Sequence, residues 1–359
     1  MRNRIGAGII ALVCALASSG STESDLATTK SNFVLPTLLH WAASIGSLEA
    51  IDRLIKSGID VDVRNGFGQT PLHIAARFGS VRKVNAFIAA GADLNAKDQE
   101  GNTPLLSTIR FNKRAKFDLL LAAGADLNLA GPKGQSPLHL SVQLNRLQYL
   151  DRLLALRAKT NVRNEIGETP LHLALRLDAS KCLTRLLAGG ADANLRNKEG
   201  LTPLHIAITK STVSTMARLI AAGAKVNATD REGRSTLYIA SAVSAKKAEL
   251  LLEHGAIVNK RTKTGFTPLL NATRAGQVNT MRMLISKGAK VNLSNQYGVT
   301  PLHWAAGFGD SAAVLLLLDA KANVKLKDKN GRTAYEWSIL MGNLEGSAGY
   351  WALNRARYK

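Results

Sequence analysis

Thr70-Pro71-Leu72-His73-Ile74-Ala75-Ala76-Arg77-Phe78-Gly79 spells out one short helix together with both of its ends. The Thr70 hydroxyl is placed to accept a bond from an orphan N–H of the first turn. Pro71 falls at the first helical position, where its missing N–H costs nothing. Leu72, Ile74 and Ala75 begin the apolar side, and Gly79 ends the segment. A second helix is expected from about Val81 to Ala90, with Val84, Phe87 and Ile88 on one face. Gly91 is placed as its left-handed stop. Asp98-Gln99-Glu100-Gly101 then reads as a turn projecting toward the next copy of the pattern.

The pattern returns at a fixed interval. Its starts are Thr37 (TLLH), Thr70, Thr103 (TPLL), Ser136, Thr169, Thr202, Ser235 (STLY), Thr267, Thr300 and Thr333 (TAYE). The spacing is 33 residues throughout except for the 32 between Ser235 and Thr267. Such a period means stacked units that bury their core against their neighbours, so the 359 residues need no division into separate globular domains. A turn glycine recurs from Gly68 to Gly331. The bend between the two helices holds Gly46, Gly79, Asn112, Asn145, Asp178, Ser211, Gly276 and Gly309, mostly residues that tolerate positive φ. Hydrophobic residues make up 46% of the chain but aromatics only 5%, which fits small Leu- and Ala-rich helices.

The pattern T-P-L-H-x-A-A, a leucine-rich second helix, G-A-D-x-N and a turn glycine resembles the ankyrin repeat over residues 37 to about 345. The resemblance implies an all-α ankyrin-repeat solenoid, with helix-turn-helix units joined by β-turn or hairpin loops. Nine repeats would occupy 37–332, starting at 37, 70, 103, 136, 169, 202, 235, 267 and 300. Residues 333–359 would be a C-terminal capping half-repeat and a basic tail. Arg157 and Lys321 depart from the glycine at the second-helix stop, so those ends are expected to be frayed or differently shaped. Leu106, Tyr238 and Leu270 replace the histidine, and Ser235-Thr236 lacks the proline. The repeats at 103, 235 and 267 are therefore the expected weaker joints.

His40, His73, His139, His172, His205 and His303 stand in one column. In the family, this histidine hydrogen-bonds backbone and ties loop to helix. Adjacent columns lie roughly 10 Å apart, a helix diameter, whereas zinc needs ligands about 2 Å from one ion. No metal site and no cofactor are expected. The chain lacks a nucleophile elbow, a phosphate-cradling glycine loop and a paired-cysteine motif, so no enzymatic role is expected.

The N-terminus reads as a signal peptide over 1–17: Arg2 and Arg4, an apolar run from Ile5, then Ala15-Leu16-Ala17. Residues 18–36 form a polar linker and lead-in. Export to a periplasm or the outside follows, in the manner of exported bacterial ankyrin proteins; without cleavage the chain would be cytosolic. Cys14 raises lipid attachment as an alternative, although Val13 stands where a small residue is wanted. Cys182, the only other cysteine, reads as a packing residue.

In the family, turn residues and the outer part of the first helix line a concave groove that meets partners. Here the position after H-x-A-A holds Arg77, Arg110, Arg176 and Arg274. The next holds Phe78, Phe111, Leu144, Leu177, Val243 and Phe308. A column before the turn holds Arg64, Lys97, Arg163, Arg196, Arg261 and Lys327, and the turns add Phe67 and Tyr297. With a formal net charge of +21, this predicts a basic groove edged by apolar groups. The expected function is monomeric, non-catalytic binding of a protein with an acidic surface, with no small-molecule substrate. A polyanion binder (nucleic acid, anionic lipid or acidic cell-surface polymer) is the alternative, and a secreted effector acting on a host protein a lesser one. Basic residues on the second helices, among them Arg82, Lys181 and Lys246, also allow use of the convex face.

Overall fold

The computed structural model describes residues 35–358. The signal peptide, Cys14 and nearly all of the lead-in lie outside the described residues. Among the described residues there are 20 α-helices and one 3-10 turn, Pro132–Gly134, and no strands. Of the expected hairpins, only two isolated bridges form, Thr229 with Ser235 and Lys327 with Thr333. The chain divides into two compact units, one ending at Glu165 and one beginning at Ile166.

The first unit holds four helix pairs. These are α1 Leu35–Ser44 with α2 Leu48–Lys56, and α3 Pro71–Arg77 with α4 Val81–Ala89. Next come α5 Pro104–Arg110 with α6 Arg114–Ala122, and α7 Pro137–Gln143 with α8 Leu147–Ala155. The second unit holds six: α9 Pro170–Arg176 with α10 Ser180–Ala188, α11 Pro203–Lys210 with α12 Val213–Ala221, and α13 Thr236–Val243 with α14 Ala245–Glu253. It continues with α15 Pro268–Arg274 and α16 Val278–Ser286, α17 Pro301–Phe308 and α18 Ser311–Asp319, and α19 Ala334–Met341 and α20 Ala348–Ala356. Within each unit, first helices pack on the first helices of adjacent repeats, as α3 does on α1 and α5. Second helices do the same, as α4 does on α2 and α6. Leu72, Ala75, Ala76, Val84 and Phe87 are fully buried, so the small alanines let the helices approach while Leu and Phe fill the space between them.

From α3 onward, each first helix is started by its own side chains. At α7, the His139 N–H donates to Ser136 Oγ at 3.4 Å, and the Ser136 N–H donates to His139 Nδ1 at 3.2 Å. This is a capping box in which histidine takes the place usually held by Glu or Gln. At α3 the same use of Nδ1 leaves Nε2 carrying the proton. Nε2 donates to the Asn102 carbonyl, 29 residues on, at 2.9 Å. His40, His172 and His303 reach the carbonyls of Gln69, Leu201 and Arg332 in the same way, at 2.7, 3.1 and 3.0 Å. Histidine is suited to the column because one ring caps its own helix and also holds the next loop.

Asparagine supplies a second ladder. Asn95 Oδ1 accepts from the Asp126 N–H at 2.9 Å, Asn194 Oδ1 from Lys225 at 2.7 Å and Asn259 Oδ1 from Lys290 at 2.9 Å. The turn tips are joined as well: the Gln99 N–H donates to the Phe67 carbonyl at 3.0 Å. Gly68 there has φ of 70°, and a Cβ on it would lie 2.9 Å from the Gln99 nitrogen, so both dihedral and space demand glycine.

Four expectations are corrected. The first helix begins at Leu35, not at a cap on Thr37. The bend glycines Gly46 and Gly79 do not adopt positive φ. A Cβ at Gly79 would lie 2.6 Å from the Ala43 carbonyl oxygen, so close approach selects glycine there. Asn112, Asn145, Asp178, Gly276 and Gly309 do take the left-handed conformation. Arg157 and Lys321 also take it, at φ of 58° and 64°. Their helices end no differently from the others: the Arg157 N–H donates to Leu154 at 2.9 Å, as that of Gly91 does to Ile88 at 3.0 Å. Finally, after Thr333 the chain forms a whole helix pair, Ala334–Met341 and Ala348–Ala356, rather than a half-repeat and tail, with Leu344 and Leu353 fully buried and Asn354 to Ala356 inside α20.

The repeats at 103, 235 and 267 keep their capped starts. Leu106, Tyr238 and Leu270 are buried, and the N–H of each still donates to its cap hydroxyl, at 3.2, 3.1 and 3.2 Å. What these repeats lose is the imidazole tie to the following loop.

Candidate functional site: an arginine and aromatic surface on the first helices

The Arg column lies at the C-terminal ends of α3, α5, α9 and α15, and what each guanidinium meets differs. Arg77 lies between two rings, with its guanidinium carbon 4.5 Å from the centroid of Phe78 and 4.1 Å from that of Phe111. Its Nε is buried with no hydrogen-bond partner. Arg110 Nη2 donates to Asn102 Oδ1 at 3.3 Å, a long contact with a neutral group. Arg176 is ion-paired with the carboxylate of Glu168, which is buried. Arg274 Nη2 donates to Asn271 Oδ1 at 3.2 Å, and its guanidinium lies 5.8 Å from the Phe266 ring.

One sequence position accounts for much of this difference. The residue eight before the arginine, just ahead of the helix cap, faces it: Asn102 for Arg110, Glu168 for Arg176 and Phe266 for Arg274. At Arg77 that position is Gln69. Only Arg176 has an acid there, so its charge is neutralised within the fold. Among the described residues, Arg77, Arg110 and Arg274 have no ion pair within the fold.

In the column before the turn, three arginines bond to backbone carbonyls. Arg64 Nη1 donates to the Gly68 and Lys97 carbonyls at 2.9 and 2.5 Å. Arg196 Nη1 reaches the Thr229 carbonyl at 2.5 Å, and Arg261 Nη2 reaches that of Ser294 at 2.7 Å. These arginines join successive turns across one repeat. Lys97, Arg163 and Lys327 are exposed.

The apolar column remains open to solvent. Phe78 is 56% exposed and Phe308 53%, and at the turns Phe67 is 72% exposed and Tyr297 55%. Leu144, Leu177 and Val243 are also exposed, whereas Phe111 is half-buried against Arg77. In the second unit, Phe308 stacks on Trp304 with centroids 5.1 Å apart. The two columns continue past Thr333 as Leu340 and Met341, both more than half exposed. Reading the Arg and Phe columns one repeat further would have found them. The surface therefore changes along the chain from arginine with aromatic in the first unit to apolar at the last two repeats.

In the first unit, Phe67, Gln69, Arg77, Gln99, Arg110 and Phe111 come together around a cleft of about 370 Å³. Asp98 and Glu100 form its acidic rim, and both already accept bonds from Asn102.

Beneath this surface are three lysines: Lys116, which sequence reasoning did not single out, and Lys83 and Lys247, which it read only as part of a basic second-helix face. Lys116 Nζ donates to the Ala75 and Ala76 carbonyls at 2.9 and 3.0 Å, and burial lowers its ammonium pKa to about 8. Lys83 Nζ donates to the Ser44 carbonyl at 2.9 Å and Lys247 Nζ to that of Ile208 at 2.6 Å. Each satisfies carbonyls at the end of the preceding repeat's first helix, where a cation also meets the negative end of the helix dipole. Cys182 is buried on α10. Among the described residues, no group of three His, Cys, Asp or Glu side chains is placed to hold a metal ion.

Comparison with known proteins agrees with this geometry. The family described as ankyrin repeats (3 copies) matches overlapping segments 39–131, 108–194, 177–262, 215–295, 248–328 and 290–347. The search of curated proteins found no match. Among solved structures, the ankyrin repeat domain of Bcl-3, described as a unique member of the IkappaB protein family, is similar at 26% identity and a TM-score of 0.53. The match covers 60% of this chain and all of that one.

Proposed function

The chain belongs to the ankyrin-repeat family, whose repeats are generally protein–protein interaction modules, and on that premise we propose that it binds a protein with an acidic surface through the first-helix face. The observation that carries the proposal is the pairing of Arg77, Arg110 and Arg274, none with an internal ion pair, with the exposed Phe67, Phe78 and Phe308. Arginine supplies forked donors to carboxylates, and exposed aromatic rings supply desolvated contact area. A net charge of +21 speeds encounter with an acidic partner, and packing of the apolar column then slows its release. The role is non-catalytic and needs no cofactor. A polyanion fits less well, because acids such as Asp98 and Glu100 are interleaved with the arginines, and a phosphate chain would meet them.

The test is reversal of Arg77, Arg110 and Arg274 to Glu, followed by affinity capture from the native extract. Arg176 is left alone because a glutamate there would confront the buried Glu168. The triple variant should keep its far-ultraviolet circular dichroism and lose the captured partner at physiological salt. Undiminished capture would contradict the proposal. A polyanion would instead show log affinity falling steeply and linearly with log salt, with little selectivity. We also propose that the protein is exported, on the strength of Arg2, Arg4 and the apolar run ending in Ala15-Leu16-Ala17. The mass of the native protein should then match a chain starting near residue 18, and a start at Met1 would refute export.

A further inference from the structure

We infer that the cleft of the first unit bounded by Arg77, Arg110, Phe67 and Phe111 is a carboxylate subsite. It would take one Asp or Glu side chain of the partner together with an adjacent apolar residue. The inference rests on the proposed binding role and names the group this cleft recognises.

Three observations converge. The first is that the cation is preorganised. Arg77 is sandwiched between Phe78 and Phe111 at 4.5 and 4.1 Å, so its guanidinium is held in place before any partner arrives. A side chain with this many torsions would otherwise lose rotamer freedom on binding. The second is that no acid among the described residues is ion-paired with Arg77 or Arg110. Arg77 Nε is buried without a partner, and Arg110 spends one donor on a neutral oxygen at 3.3 Å. Arg77 and Arg110 both line this cleft, whereas Arg176 is already ion-paired.

The third is the wall and rim. The 370 Å³ volume suits a side chain or two, not an extended ligand. Phe67 and Phe111 supply an apolar surface beside the charge. Asp98 and Glu100 line the same cleft, so a carboxylate must lie toward the arginines and away from these two acids. The apolar wall separates the tripeptide from inorganic phosphate, because phosphate has no side chain to lay against Phe67 and Phe111.

The test uses the full chain and the capped tripeptide acetyl-Ala-Glu-Phe-amide, observed through the arginine Nε–Hε resonances by NMR. The expected affinity is weak, with a Kd on the order of 1 mM. Binding should be saturable, should shift Arg77 and Arg110, and should weaken at least about tenfold when Glu is replaced by Gln in the peptide. Arg77→Met, which keeps an apolar chain between the rings, should abolish the shifts, whereas Arg274→Met should leave them. Inorganic phosphate should bind less well than the tripeptide. Equal binding of the Gln peptide, stronger binding of phosphate, or no saturable shift would overturn the subsite. If Arg274→Met weakens the tripeptide as much as Arg77→Met, the subsite falls while the broader basic surface stands. If reversing Arg77, Arg110 and Arg274 leaves partner capture intact, the broader proposal falls as well.

Discussion

At the residue scale, the histidine column shows how one side chain can be structural and still confer a solution property. Burial pushes the imidazoles of His139 and His205 down to about 4, and burial also lowers His73 and His303. Their neutral form is the folded form, since Nδ1 must accept from the cap N–H. The unfolded chain takes up these protons near the ordinary imidazole value of about 6.5, before the folded chain does. Stability from these groups is therefore complete above about pH 6.5 and is lost as the pH falls toward 4. Each such histidine adds up to about 1.4 kcal/mol per pH unit to the slope in that window. Urea midpoints between pH 7 and 4.5 should fall steeply, and His139→Leu should flatten the curve. A midpoint independent of pH would contradict the assignment.

At the element scale, the second-helix stops permit a direct measurement. Arg157 and Lys321 hold the left-handed conformation that glycine takes at the equivalent stops Gly91 and Gly124. A side chain there costs roughly 1–2 kcal/mol, partly offset because glycine loses more freedom on folding. Arg157→Gly and Lys321→Gly should each stabilise the protein by about 0.5–1 kcal/mol in chemical denaturation. No gain, or a loss, would mean that the stop is held by something other than backbone preference. The same ends show what sequence could and could not reveal. The left-handed site was legible from the glycine column, but the unfrayed helix end was not. It depends on the N–H of the following residue reaching back to Leu153, as Ala158 does at 3.0 Å. Similarly, Gly79 was legible as a bend but not as a contact, because the Ala43 carbonyl that excludes a Cβ comes from the preceding repeat.

At the scale of the whole molecule, the period from Thr37 to Thr333 made the fold readable, because each first helix from Thr70 onward carries its own cap and each turn its own glycine. The candidate surface was readable as columns but not as charges. Whether an arginine is available to a partner depends on what packs against it from eight residues upstream, as Glu168 shows at Arg176. Arg64, Arg196 and Arg261, before the turns, hold neighbouring turns together, which is why the proposed binding charge is placed on Arg77, Arg110 and Arg274. The central claim is that a protein partner meets the turn tips and the C-terminal ends of the first helices. Hydrogen exchange of the captured complex against the free chain tests it most directly. Slowed exchange should cluster around the turns at Phe67 and Gln99 and the helix ends at Phe78 and Phe111, with the second helices unchanged. Slowed exchange along the second helices, with unaltered turns and first-helix ends, would contradict it.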